Sequence, residues 1–220
     1  MDFMKILKSL EEFLYEVMVW LVFYPITLWQ VLTRPAEMMD YADVELGDSD
    51  DDRYSDRLSP PIFLAITLGL THGLELALGQ NEQTISFLAD DRNLLAFRMI
   101  AFSVFPLVLA VRLLRRRGQL LDRKVLKPPF YSQCFVAAPF AAAVSSAPII
   151  APHLPLPPVQ QLLVILGTVL IATIWYLLLQ ARWFARCLET SVLNGFGHAV
   201  ASFLQALVLV VLLSTVVEYL

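Results

Sequence analysis

The sequence predicts an all-α integral membrane protein: five transmembrane helices, plus an N-terminal amphipathic helix that lies in the membrane interface. Three observations favour this fold class. Of the 220 residues, 58% are hydrophobic and only 16% are charged, with a mean hydropathy of +0.65. The apolar residues fall in runs of about 20, the length of helix that crosses about 30 Å of hydrocarbon. The basic residues concentrate in alternate loops between these runs, the distribution expected of a multi-pass protein.

Five apolar runs are long enough to cross the bilayer as helices. They cover residues 60–79, 93–113, 131–150, 160–182 and 197–218. Ser59 is a favourable N-cap for the first of them, and Pro60 and Pro61 suit a first helical turn. We expect these runs to form one transmembrane domain over residues 59–220.

The loop between the second and third spans is strongly basic. Its basic residues are Arg112, Arg115, Arg116, Arg117, Arg123, Lys124 and Lys127. The loop between the fourth and fifth spans adds Arg182 and Arg186, whereas the two loops on the other side contain only Arg92. This bias predicts that the basic side is cytoplasmic, with the N-terminus inside and the C-terminus outside. The excess of arginine over lysine favours a bacterial source, and hence the cytoplasmic (inner) membrane.

Residues 1–39 are predicted to be a cytoplasmic and interfacial helical segment. The run 13–32 is long enough to cross the bilayer, but it contains a carboxylate, a glutamine and several Trp and Tyr side chains, which favour the interface. We expect a helix on the cytoplasmic face, broken near Pro25 and ended by Arg34–Pro35. The alternative is a sixth span, which would place the N-terminus outside.

Residues 40–58 are predicted to be an acidic linker. They contain eight Asp and Glu residues but only two arginines, a composition typical of a solvated and poorly ordered segment. The linker could attract the basic loop, or that loop could rest on anionic lipid headgroups. One basic loop without interleaved aromatic residues does not predict nucleic-acid binding.

An imidazole and a carboxylate interrupt the first span, in the stretch "LAITLGLTHGLELALG". Thr67, Thr71, His72 and Glu75 fall within an arc of about 140° on a helix, so one face of this span is polar. An ionisable side chain in a bilayer needs a partner. Arg98 lies at a matching depth in the second span, and we predict a Glu75–Arg98 ion pair beside His72. Such a cluster either locks the two helices together or handles protons or ions.

The last span carries a second polar stripe, formed by His198, Ser202 and Gln205 at i, i+4 and i+7. Polar side chains at this spacing predict hydrogen bonds between helices. His72 and Glu75 form only half of the motif that a di-metal helix bundle uses, so no metal site is predicted. No motif of a hydrolase, kinase or nucleotide-binding protein is present, so we expect no enzyme activity and no cofactor.

Glycines mark two further places. Gly69 and Gly73 form a G-x-x-x-G motif in the first span, which permits close contact with another helix. The segment "NGFGHAV", residues 194–200, contains two glycines before the last span and is predicted to form a turn and helix start.

The arrangement of segments resembles that of the Yip (Ypt-interacting-protein) superfamily of five-span membrane proteins. The segment "FYPITLWQVLTRPAEMM" precedes a tether, "YSDRLSPPIFLAITLGL" opens the first span, and the last three spans are rich in Ala, Val and Leu. The "DLYGP"-type signature of eukaryotic members is absent from this sequence. The resemblance is closest to the bacterial branch, whose members are often labelled permeases, and the absent signature does not favour a vesicle-trafficking role. It implies the five-span fold and no catalytic residue.

We expect a noncatalytic protein that organises partners or lipids at the cytoplasmic membrane. Its partners would be the lipid bilayer and either another membrane protein or further copies of itself. The alternative is a small permease or channel subunit that acts as an oligomer, with the polar face of the first span and Gln205 lining a path. A dry, paired Glu75 and Arg98 would favour the first function, and a water-filled cavity reaching both faces would favour the second.

Overall fold

The computed structural model describes residues 3–46, 54, 57–78 and 91–218. Within these residues the chain is helical and has no strand. The helices are α1 (Phe3–Thr33), α2 (Pro35–Glu45), α3 (Pro60–Ala77), α4 (Asp91–Arg116), α5 (Arg123–Ile150), α6 (Pro158–Cys187) and α7 (Val192–Glu218). All of them except α2 are long and apolar enough to cross a membrane. The fold is therefore that of a multi-pass membrane protein, with six candidate spans.

The first helix is not broken near Pro25, so the break predicted there was wrong. Helix α1 is continuous from Phe3 to Thr33 with Pro25 inside it. A proline removes one backbone donor, and the side chains of Tyr24 and Thr27 pack against the bundle on either side of it. The helix does end where Arg34–Pro35 was expected to end it.

The predicted linker is partly helical. Helix α2 continues through Glu45, so its last turns lie beyond the predicted boundary at residue 40. Most of the remaining linker, and the predicted loop 80–92 apart from its last two residues, lie outside the described residues.

Two other helices begin earlier than hydropathy alone indicates. Helix α5 begins at Arg123 because the carboxylate of Asp122 accepts a hydrogen bond from the Arg123 backbone N–H at 2.6 Å. The basic loop is therefore short, and Lys124 and Lys127 lie in the first turns of α5. Helix α7 begins at Val192, so the segment "NGFGHAV" is helical and the predicted turn there was wrong.

Helix α5 forms the centre of the bundle. It packs against α2, α3, α4 and α6, and its residues 132–141 are all buried. One face contributes Cys134, Phe135 and Ala138 to a core shared with α1, α2 and α3. The other contributes Val136 and Phe140 to a core shared with α4, α6 and α7. A helix buried on both faces explains why this span shows no amphipathic stripe.

Helices α6 and α7 approach each other closely at one glycine. A Cβ atom on Gly195 would lie 2.2 Å from the carbonyl oxygen of Ala181, so only glycine fits there. Gly197 has open space around it, as do Gly69 and Gly73. Among the described residues, the G-x-x-x-G motif of α3 therefore makes no close helix contact.

Candidate functional site

The charged residues of α3 and α4 meet in one cluster. Arg98 donates from Nη1 to Oε2 of Glu75 at 2.5 Å and from Nη2 to Oε1 at 3.0 Å. The two side chains retain only 6% (Glu75) and 16% (Arg98) of their exposure. The ion pair expected between these residues is thus present, and it is bidentate, the strongest geometry for an arginine and a carboxylate.

His72 completes this cluster. Its Nδ1 lies 3.6 Å from Oε2 of Glu75 and 3.5 Å from Nη1 of Arg98. The imidazole is buried on the same face of α3 as the carboxylate, one turn away. A neutral imidazole can accept a hydrogen bond from the guanidinium, which leaves Glu75 and Arg98 to compensate each other's charge.

The two threonines of the predicted stripe are used differently. Thr67 donates to the Phe63 carbonyl at 2.8 Å, and Thr71 donates to the Leu68 carbonyl at 2.9 Å. Since the Thr67 proton is committed to its own helix, the Tyr24 hydroxyl donates to Thr67 Oγ1, at 3.2 Å. Thr67 therefore joins α3 to α1, whereas the ion pair joins α3 to α4.

The second polar stripe stays apart from the first cluster. Ser202 donates to the His198 carbonyl at 2.9 Å, within α7. Gln205 accepts a hydrogen bond from Nη2 of Arg112 at 3.3 Å. The interhelical bond predicted for this stripe is thus made by Gln205, and its partner comes from the basic end of α4.

The predicted basic loop divides into several contacts. Arg117 donates two hydrogen bonds to the Cys187 carbonyl, at 3.2 and 2.9 Å, and so caps the end of α6. Lys127 lies over the Tyr131 ring, with Nζ 5.2 Å from its centroid. Arg115 and Arg116 lie in the last turn of α4, and Arg123 and Lys124 are exposed at the start of α5.

A buried amide pair that was not predicted from the sequence joins α5 and α6. Gln180 donates from Nε2 to Oε1 of Gln133 at 2.6 Å, and both side chains are fully buried. The other polar atom of each amide, and the hydroxyl of Tyr176, have no hydrogen-bond partner. Part of the signal was present, because Tyr176 lies one turn before Gln180 in the same apolar run, but no spacing within one helix indicates that Gln180 faces Gln133.

An ion pair that was also not predicted joins the predicted linker to the loop between the fourth and fifth spans. Arg186 on α6 lies against Asp40 on α2, at 2.7 Å. The first acidic residue of the predicted linker therefore has its partner at the end of α6. No helical periodicity connects these two positions, so only the packing of α2 against α5 and α6 reveals the pair.

In the cluster of His72, Glu75 and Arg98, the charges of Glu75 and Arg98 compensate each other, and the ion pair joins α3 to α4. In the described part of the chain, no group of three or more His, Cys, Asp or Glu side chains could hold a metal ion. Comparison of the sequence and structure with protein-family models, curated proteins and solved structures finds no match.

Proposed function

We propose that this protein is a noncatalytic integral membrane protein that organises partners or lipids at the cytoplasmic membrane. The observation that carries the proposal is the state of the polar cluster. Both carboxylate oxygens of Glu75 accept hydrogen bonds from Arg98, and both side chains are largely withdrawn from the surface. Groups committed to each other in this way hold two helices together and are not free to bind a passing ion.

The proposed topology has five spans, with α1 on the cytoplasmic face, the N-terminus inside and the C-terminus outside. The first half of α1 supports an interfacial position. Its charged residues fall within an arc of about 140° at 100° per residue, and the large apolar residues Leu7, Leu10 and Phe13 are exposed on the opposite side. A helix with one charged and one apolar face favours the membrane surface.

The outward faces of α6 and α7 support a role in association with lipid or with another membrane protein. Their exposed large side chains include Ile171 and Leu193, which are 70% and 80% exposed. These faces meet hydrocarbon, a neighbouring protein or a second copy of the chain. The resemblance to the Yip superfamily stays a hypothesis that agrees with this role.

The experiment that tests the proposal compares flux and assembly in one preparation. The purified protein is reconstituted in sealed liposomes, and proton and potassium flux are compared with those of empty liposomes. We expect no more flux than from empty liposomes, because Glu75 and Arg98 are bonded to each other and are not free to bind an ion. Native mass spectrometry of the same sample in a mild detergent reports subunit number and retained lipids or proteins.

The alternative function makes the opposite forecast. A permease or channel subunit would form a homo-oligomer of fixed stoichiometry, and would carry flux that Glu75→Gln abolishes. The change Glu75→Gln together with Arg98→Gln is the matched control, because it removes the cluster's charges without leaving one unpaired. Flux that depends on Glu75 would contradict the proposed function.

A further inference from the structure

A cavity of about 370 Å³ opens at the basic end of α4, between α4 and α7. One end of it is formed by Arg112, Arg115, Arg116 and Gln205. The three arginines lie within two turns of one helix, at i, i+3 and i+4, so their side chains share a face. The cavity is separate from the Glu75–Arg98 cluster.

Positive charge in this cavity is not balanced by the residues that line it. None of the lining residues is acidic. Arg112 uses Nη2 to reach Gln205, but its Nε is buried and has no hydrogen-bond partner. The three like charges on one face of α4 repel one another, and a bound anion would offset that repulsion.

The other end of the cavity is apolar. It is lined by Leu107, Val108, Val111 and Leu209, which continue along α4 and α7 away from the arginines. Leu107 and Leu209 are each 41% exposed, so this end opens sideways, toward the hydrocarbon that surrounds a membrane protein. The cavity therefore has a basic end at the helix terminus and an apolar groove that leads from it into the bilayer.

We infer that this cavity binds an anionic phospholipid, with its phosphate at Arg112, Arg115 and Arg116 and an acyl chain along the α4–α7 groove. Guanidinium groups bind phosphate oxygens through paired N–H donors, and the side chains of Arg115 and Arg116 are exposed at the cavity. A basic pocket between transmembrane helices at the membrane surface is a recognised type of lipid-headgroup site. The inference rests on the proposed function, since it names the lipid class that the protein would organise.

The test measures lipid binding by native mass spectrometry of the full chain in a mild detergent. Phosphatidylglycerol and phosphatidylcholine with the same acyl chains are titrated separately. We expect the wild-type protein to prefer phosphatidylglycerol. The change Arg115→Gln with Arg116→Gln should weaken that binding roughly 25-fold, since each basic residue near an anionic surface is worth roughly a factor of five.

The matched control removes the same charge from outside the cavity. Arg123→Gln with Lys124→Gln changes two exposed basic residues at the start of α5, and it should leave phosphatidylglycerol binding within about twofold of wild type, because neither side chain lines the cavity. An equal loss in both double variants would overturn the inference, because the effect would then be a general surface charge. Equal binding of the two lipids by the wild-type protein would also overturn it.

A second variant tests the groove without changing any charge. Leu209→Trp places a larger apolar side chain at an exposed position, which the fold should tolerate. We expect it to weaken phosphatidylglycerol binding severalfold, and unchanged binding would contradict the groove.

Inorganic phosphate distinguishes a lipid from a soluble phosphate as the natural occupant. Millimolar phosphate should not displace phosphatidylglycerol, because it lacks the acyl chain that fills the groove. Displacement would overturn the lipid assignment. The two proposals fail in different measurements. If the protein shows no lipid preference, the lipid inference fails, but the flux measurement is unaffected. If flux depends on Glu75, the proposed function fails, but lipid binding is unaffected.

Discussion

The guanidinium of Arg186 donates two hydrogen bonds to the carboxylate of Asp40, at 2.8 and 2.7 Å, across 146 residues of sequence. The pair holds α2 against the end of α6. Both side chains are about half exposed, at 49% for Arg186 and 58% for Asp40. An exposed ion pair contributes only about 0–1 kcal/mol to stability. The main effect of this pair is therefore to fix the position of α2 relative to α6.

Asp40→Asn should loosen α2 with little loss of stability. We expect the free energy of unfolding to change by less than about 1 kcal/mol. The distance distribution between spin labels at Ala36 and Arg182 should broaden, because α2 loses its tie to α6. Glu37→Gln is the control, since Glu37 pairs within its own segment with Arg34, at 3.6 Å. A distribution as narrow as wild type for Asp40→Asn would contradict the tie.

Glu75→Gln should destabilise the bundle strongly, because it strands the Arg98 charge. Removal of one partner of a buried ion pair costs about 3–5 kcal/mol. Adding Arg98→Gln to it should recover part of that loss, as measured by unfolding in a denaturing detergent. Arg98→Gln alone completes the cycle, and a double variant that loses the sum of the two single losses would show that the two side chains are not energetically coupled.

The buried amide pair of Gln133 and Gln180 can be tested by a double-mutant cycle in which no charge is changed. Gln133→Leu alone leaves the Gln180 amide without its partner in the core, and it should cost about 1–3 kcal/mol. The double change to leucine removes both polar groups and should be close to wild type in stability. The same unfolding titration measures all three variants. A double variant as unstable as the sum of the two single ones would contradict the pairing.

Gly195→Ala should disturb the contact between α6 and α7. The new methyl group would meet backbone atoms of Ala181 and Ala185, so the helices must move apart. We expect a loss of about 1–3 kcal/mol, the usual cost of overpacking. Gly197→Ala is the matched control in the same helix, because it points into open space. If both variants are equally stable, the close approach at Gly195 is not required.

Thiol labelling tests the proposed topology. The native Cys134 and Cys187 are first replaced, and single cysteines are placed at Lys8, Gln119 and Leu156. We expect the first two to react only from the cytoplasmic side, and the third only from outside. Reaction of the Lys8→Cys protein from outside would replace the five-span topology with the six-span one.

Patterns within one helix were predictable from the sequence, and contacts between distant segments mostly were not. The polar face of α3 follows from the spacing of His72 and Glu75. The partner of Glu75 followed from depth, because Arg98 is the charged residue of the next apolar run that lies at a matching depth. The start of a helix was predicted too late where charged residues precede its apolar run. At Arg123 the cap supplied by Asp122 extends α5 beyond its apolar residues.

The remaining contacts depend on packing that no periodicity records. The pairing of Gln133 with Gln180 requires the relative rotation of α5 and α6. For the same reason, the G-x-x-x-G motif was interpreted as permitting a close helix contact, whereas the close contact lies at Gly195 in the segment that was interpreted as a turn and helix start. Close contact depends on what lies opposite a glycine, and in the described structure a neighbouring backbone faces Gly195 but not Gly69 or Gly73.

The central position of α5 bears on the order in which the bundle is assembled. Helices α3 and α4 touch each other far less than each touches α5, yet both are synthesised before it. Among the described residues, the Glu75–Arg98 ion pair is the main polar contact between α3 and α4, so we expect it to hold these two helices together until α5 is inserted. We expect α3 and α4 to be inserted as one helical hairpin, and α5 to pack against it afterwards.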